Sequence, residues 1–162
     1  DDGRAYQFYS SENNATMYIS LLTDDYLKPS GRFTRNFIKE SREAPAVFKH
    51  EGKYYMLSSG CSGWDPNIAE IAVADSIMGT WKTIGNPCTG PDADKTFYAQ
   101  STYVQPVMGK KGAYIALFDR DRKKKDLEDS RYVWLPLFIE KGEITIPWHA
   151  KWDMSVFDKK KK

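Results

Sequence analysis

Two polar residues are set apart by where they stand. Glu43 lies in "REAPAVFKH" and Gln100 in "YAQSTYVQPV", each at the mouth of an extended run with alternating apolar residues. The two runs occupy equivalent places in a repeating pattern, so their first residues approach each other near a common axis. A carboxylic acid facing a polar group across a cleft is what acid-assisted cleavage of a glycosidic bond requires. One group protonates the departing oxygen while the other serves a water molecule on the opposite side. In isolation Glu43 reads as a solvated loop carboxylate. Its register in the repeat is what raises it.

The elements that must position these residues are strands. "DDGRAYQFYSS" (1–11), "HEGKYYMLSSG" (50–60) and "KKGAYIALFDR" (110–120) share a charged turn with Gly, then a strand with Tyr just inside it. Each leads to a second strand, at 15–22, 68–75 and 131–138. Further strands precede the last two repeats, at 44–50 and 101–107, and outer strands are predicted at 79–85 and 143–149. The repeat glycines, 3, 52 and 112, are 49 and 60 residues apart, and four antiparallel strands in such a period match a propeller blade. Eight prolines are scattered along the chain and no window shows helical periodicity. The chain is predicted to be all-β.

About three such blades cannot close a ring, because propellers have roughly 4–8 blades. The sequence is therefore expected to be part of a larger propeller, completed by further blades or by another chain copy. A free-standing β-sandwich is the alternative.

Composition narrows the field. At 162 residues, with 41% hydrophobic content and no apolar run near the length of a membrane span, the chain has enough material for one core and no membrane-spanning segment. Aromatic residues, 14% of the chain, suit pleated strands and stacking surfaces. The basic clusters Lys123–Lys125 and Lys159–Lys162 are not interleaved with aromatics, which speaks against nucleic acid as a partner. Cys61 and Cys88 cannot build a zinc site by themselves, and His50 and His149 lack ligand spacing. The cysteines are either one disulfide of an exported protein or two buried thiols. Trp81, Trp134, Trp148 and Trp152 are expected to fill blade-to-blade packing.

The stretch "REAPAVFKHEGKYYMLSSGCSGWDPN", with "VADSIMGTWKTIGNPC", "QSTYVQPV" and "DSRYVWLPL", resembles the C-terminal part of glycoside hydrolase family 43, and within it the branch of exo-β-1,3-galactanases. The resemblance covers residues 1–157, leaving 158–162 as a basic tail outside the domain. It implies a five-bladed β-propeller, of which this chain supplies the C-terminal blades, and inverting cleavage of β-galactan or a related plant polysaccharide. By the same resemblance Glu43 is the general acid and Gln100 assists the water in place of the usual base carboxylate. The resemblance implies that Gln100 helps to position or to activate that water, and a neutral amide is a poor base for the proton transfer itself.

The resemblance further implies that the Asp tuning the acid lies before the "DDG" turn, with the first two blades. Substrate contacts carried over from it are Glu12, Asn13 and Asn14 in "SSENN", and Ser62, Trp64, Asp65 and Asn67 in "SGWDPN". Pyranose rings stack on Trp, and their hydroxyls demand paired donors and acceptors. The same Asx-rich strings also form ordinary turns, and that reading stays open. No cofactor is implied, with a structural calcium ion in the propeller channel as the one candidate. The partner is an oligo- or polysaccharide, and the parent protein is expected to be secreted or periplasmic. A non-catalytic carbohydrate-binding or assembly module is the alternative function. "FDRDRKKKDLEDSRY" (118–132) departs from the family pattern in its charge.

Overall fold

The computed structural model describes residues 3–120, 128 and 130–158. Lys123–Lys125 and Lys159–Lys162 lie outside them, as does most of the charged stretch before "DSRY". Of the predicted tail only Asp158 is described, ion-paired with Lys110.

The chain is mostly strand and forms three sheets. The first is β1 (Tyr6–Ser11), β2 (Thr16–Leu22) and β3 (Pro29–Asn36), in that order. The second is β4 (Arg42–His50), β5 (Lys53–Gly60), β6 (Ala69–Ala74) and β7 (Lys82–Gly85), a four-stranded antiparallel meander. The third runs β9 (Gln100–Pro106), β10 (Ala113–Arg120), β11 (Arg131–Glu140) and β12 (Glu143–Pro147). Its outer edge carries a fifth strand, the two-residue β8 (Cys88–Thr89), paired parallel to β12. Thus β8 straps the exit from the second blade to the outer strand of the third. The sheets are the blades of a partial propeller, as the sequence predicts.

The hairpins close as their turn residues demand. Between His50 and Lys53, Glu51 and Gly52 both have positive φ (46° and 83°), the two-residue turn whose twist matches the flanking strands. Strand β5 is buried on both faces, because the second blade is the middle layer. Tyr55 and Leu57 pack with Phe48, Tyr114, Phe118 and Leu135 against the third blade. Met56, one residue out of phase, packs with Met17, Ile19 and Trp81 against the first. The period-2 side-chain alternation thus feeds two separate cores from one strand.

Trp81 fills the joint between blades, edge-on to Phe8, as expected, whereas Trp134 on β11 is exposed on the face of the third blade turned away from the second. It alternates with buried Val133 and Leu135 and so points to the outer face. Cys61 and Cys88 are both free. Cys88 is packed into the core between the second and third blades, where burial pushes its thiol up to about 12, whereas Cys61 is only partly buried and lies just after β5, beside Glu43. The blades also differ from a uniform four strands. The first has three in the described residues, and its β3 was not predicted, since its exposed, polar "PSGRFTRN" has no apolar alternation to betray it.

Candidate active site

Glu43 and Gln100 meet. Strand β4 begins with Arg42 and Glu43, β9 begins with Gln100, and the two strands lie side by side. Gln100 Nε2 donates to Glu43 Oε1 at 3.0 Å and to Ser59 Oγ at 3.0 Å. Ser59 is also the cross-strand partner of Glu43 on β5. An amide thus bridges the carboxylate and a buried hydroxyl at the mouth of two inner strands.

The backbone that aims Glu43 is irregular. The β4–β5 register shifts between Glu43 and Ala46, and Ala44 has φ 51°, a left-handed conformation inside a strand. Such a bulge turns a side chain away from the regular pleat, and the conformation costs about 1 kcal/mol for a non-glycine residue. Pro45 follows, with no N–H to lose from the ladder. The carbonyl freed at Ala44 accepts from Ser101 Oγ at 2.8 Å, and Ser101 is buried. The Glu-Ala-Pro and Gln-Ser-Thr strings are therefore interlocked twice, Gln100 to Glu43 and Ser101 to Ala44.

Beneath the carboxylate lies Arg42, 6% exposed. Its guanidinium donates to Ser58 Oγ and Ser58 O, and pairs with Glu70 at 2.6 Å. Burial pulls its pKa down, opposed by the Glu70 charge. On the other side of Glu43 is the Cys61 thiol, pushed up first by burial and then by its hydrogen bond to Glu43. The first blade is fastened to this end through Ser10 Oγ, which donates to Arg42 O at 2.8 Å, and Ser41 N, which donates to Ala15 O.

The residues of "SSENN" and "SGWDPN" flank the same end with unequal freedom. Glu12 is fully engaged: Thr16 Oγ1 and Tyr18 Oη donate to it at 2.9 and 2.8 Å, and Arg35 pairs with it at 2.7 Å. The hydrogen bonds from Arg35, Tyr18 and Thr16 hold its pKa down to about 2. Asn13 and Asn14 continue the turn with positive φ, and both are exposed. Trp64 is 80% exposed at the crest of its loop, next to exposed Asp65. Ser62 Oγ donates to Asp65 O and accepts from Asn67 Nδ2. The Asn67 amide also clasps Gly60, accepting from its N–H at 3.0 Å and donating to its C=O at 2.7 Å. Asn67 therefore shapes the loop, and Trp64 is the face it presents.

Sequence reading missed Arg42, Ser59, Cys61 and Ser101. Ser101 had a signal, lying next to Gln100 in the same string, but nothing in the sequence marks the carbonyl it serves. Among the described residues, no group of three or more His, Cys, Asp or Glu side chains is placed to hold a metal ion.

Comparisons with known proteins agree on the family. The profile of glycosyl hydrolases family 43 matches residues 1–129. A family 43 β-1,3-galactosidase solved with galactodeoxynojirimycin is 49% identical, with a TM-score of 0.88 over 95% of this chain and 44% of its own. An exo-β-1,3-galactanase from Clostridium thermocellum is 31% identical, with a TM-score of 0.80 over 91% of this chain and 32% of its own. An exo-β-1,3-galactanase from Phanerochaete chrysosporium, solved with β-1,3-galactotriose, is 30% identical, with a TM-score of 0.79 over 90% and 33%. No curated protein matches the chain. The chain spans less than half the length of these solved relatives. With the matched profile, the identity to solved members and the shared propeller architecture, this chain belongs to glycoside hydrolase family 43.

Proposed function

We propose that the chain forms the C-terminal blades of an exported, inverting exo-glycosidase that acts on β-1,3-linked galactan or a related plant polysaccharide. Glu43 is the general acid and Gln100 holds the water. The observation that carries this reading is the 3.0 Å contact between Gln100 Nε2 and Glu43 Oε1 at the mouth of adjacent inner strands. The names of the solved relatives, β-1,3-galactosidase and exo-β-1,3-galactanase, support the substrate class.

In the reaction, protonated Glu43 gives its proton to the glycosidic oxygen as the C–O bond breaks. Water attacks the anomeric carbon from the other face, forms the new C–O bond and releases its own proton to solvent. Inversion needs room for that water, with the two functional groups roughly 6.5–9.5 Å apart in the usual two-carboxylate case. Gln100 therefore leaves Glu43 when sugar enters, keeps its bond to Ser59, and turns its amide to the water. Trp64 offers a stacking platform for a pyranose face, while Asn13, Asn14, Ser62 and Asp65 serve its hydroxyls. Glu12 and Asn67 hold the loops that present them.

The chain alone supplies one side of the cleft and turns over little or no substrate, because the remaining blades complete its wall. The test is hydrolysis of β-1,3-galacto-oligosaccharides by the chain alone, by the chain mixed with the rest of its propeller, and by the complete protein. Turnover only where the propeller is complete, with inverted product and loss on Glu43→Gln, is expected. Robust cleavage by the monomeric chain, or full activity of Glu43→Gln, overturns the assignment.

A further inference from the structure

Gln100 is delivered by a backbone segment of unusual conformation. Thr96 (φ 49°, ψ 39°), Phe97 (φ 57°, ψ 29°) and Tyr98 (φ 58°) are three successive residues in the left-handed helical region. L-residues visit that region one at a time, chiefly as Gly, Asn or Asp, and β-branched or bulky residues suit it least. Such a run persists only where its surroundings over-determine it.

The surroundings here do so. Thr96 and Phe97 are each 1% exposed. Thr96 Oγ1 donates to Asn67 O at 2.7 Å, and Arg120 donates to Phe97 O. The Arg120 guanidinium also lies over the Trp148 ring, against which Phe97 packs at 5.2 Å. Tyr98 Oη donates to Asp92 Oδ1 at 3.0 Å. Ala99 N closes the turn on Thr96 O at 3.0 Å, Ala99 returns to extended backbone, and the next residue is Gln100.

We propose that the Thr96–Tyr98 left-handed turn is the positioning device for Gln100. It sets where β9 begins and ties that placement, through Asn67, to the loop that carries Trp64. Three residues in a helical turn advance the chain by about 4.5 Å, whereas three extended residues span about 10 Å. Relaxing the turn therefore moves Gln100 by several times the roughly 0.5 Å tolerance of a working constellation. The catalytic consequence rests on the reading of Gln100 given above. The geometric one does not.

The test compares Tyr98→Asn with Tyr98→Val. Both delete the phenol with its contacts to Asp92 and Lys95, and the new side chains are close in size. They differ in their tolerance of the left-handed region, which Asn accepts and Val resists. The first readout needs no substrate: protection of the Gln100 side-chain NH2 from solvent exchange, followed by NMR. Protection within about twofold of the parent is expected for Tyr98→Asn and at least a tenfold loss for Tyr98→Val. Equal protection in the two variants overturns the proposal.

If Tyr98→Val does not fold, Thr96→Ser and Thr96→Val probe the turn through its other support, the hydroxyl on Asn67 O. Serine keeps the hydroxyl on Asn67 and protection, valine loses both, and equal protection again counts against the turn. In the complete protein kcat should follow protection while KM stays near the parent value. If Glu43→Gln and Gln100→Ala leave turnover intact, the functional reading falls while the exchange data still decide the role of the turn.

Discussion

Glu12 and Glu43 stand at the same end of adjacent blades and receive opposite treatment. Glu12 is an exposed turn residue whose carboxylate is claimed by a guanidinium and two hydroxyls. Glu43 opens a strand, is aimed by a bulge, and meets the neutral groups of Gln100 and Cys61. A carboxylate stabilised as an anion by three donors is a brace. Glu43 is met instead by an amide and a thiol, neither of which carries a charge. The difference lies in their partners, since the two side chains are chemically the same.

The largest effect separates them directly. In the complete protein, Glu43→Gln should lower kcat on β-1,3-galacto-oligosaccharides by at least about 10³-fold, at the upper part of the range for removing a general acid. Glu12→Gln should leave kcat within a few-fold of the parent. Steady-state kinetics on the two variants breaks the comparison if the losses are similar, or if Glu12→Gln is the more damaging.

Next comes the support under Glu43. Arg42→Met removes a buried guanidinium and leaves Glu70 and the Ser58 carbonyl without their donor. Breaking a buried pair from one side costs about 3–5 kcal/mol, and the partial exposure of Glu70 places this one near the lower end. At about 2–4 °C per kcal/mol for a chain of this size, the unfolding midpoint should fall by roughly 6–12 °C. Calorimetry or denaturant titration reads it. A fall of under about 2 °C would make Arg42 a bystander to the site.

The bulge gives a smaller pair of effects with opposite signs. Ser101→Ala strips the donor from the Ala44 carbonyl and should destabilise the fold by about 1 kcal/mol. Ala44→Gly relieves a positive φ, while glycine gains freedom in the unfolded chain, so stability should rise by no more than about 0.5 kcal/mol. In the complete protein both should lower kcat, because each loosens the backbone that aims Glu43. A variant more stable yet less active would show that the strain serves the site. Unchanged kcat in Ala44→Gly would show that it does not.

Much of the architecture was legible because apolar alternation and glycine turns repeat at a blade-like period. Strands β4 to β7 and β9 to β12 follow from that pattern, and Glu43 and Gln100 from their place in it. What escaped had no such pattern. Strand β3 buries little beyond Asn36, so no apolar phase marks it. Strand β8 is two residues long and exists only because β12 is beside it. The Ala44 bulge and the Thr96–Tyr98 turn run against local preference: Ala, Thr, Phe and Tyr do not announce positive φ. Tertiary packing imposes it, and packing is not written in any short window. The same holds for Glu12, whose fate depended on Arg35, a residue of the strand that was not foreseen.

The smallest effect concerns that brace. The Glu12 carboxyl titrates at about 2 in the folded chain, against an ordinary value of 4.5. A carboxylate with a depressed folded pKa stabilises the fold above its unfolded pKa, and the contribution is lost as pH falls through the folded value. Its window therefore runs from pH 4.5 down to about 2. Over that range the parent chain should lose stability with falling pH more steeply than Glu12→Gln, and the gap between them should narrow toward pH 2. Because the group is exposed, the gap should also shrink in high salt, which screens Arg35 from Glu12. Thermal unfolding of both chains at a series of pH values, at low and high salt, measures it. Parallel curves would mean that Glu12 is not held by Arg35, Tyr18 and Thr16 in solution. The contrast with Glu43 would then have to rest on the bulge alone.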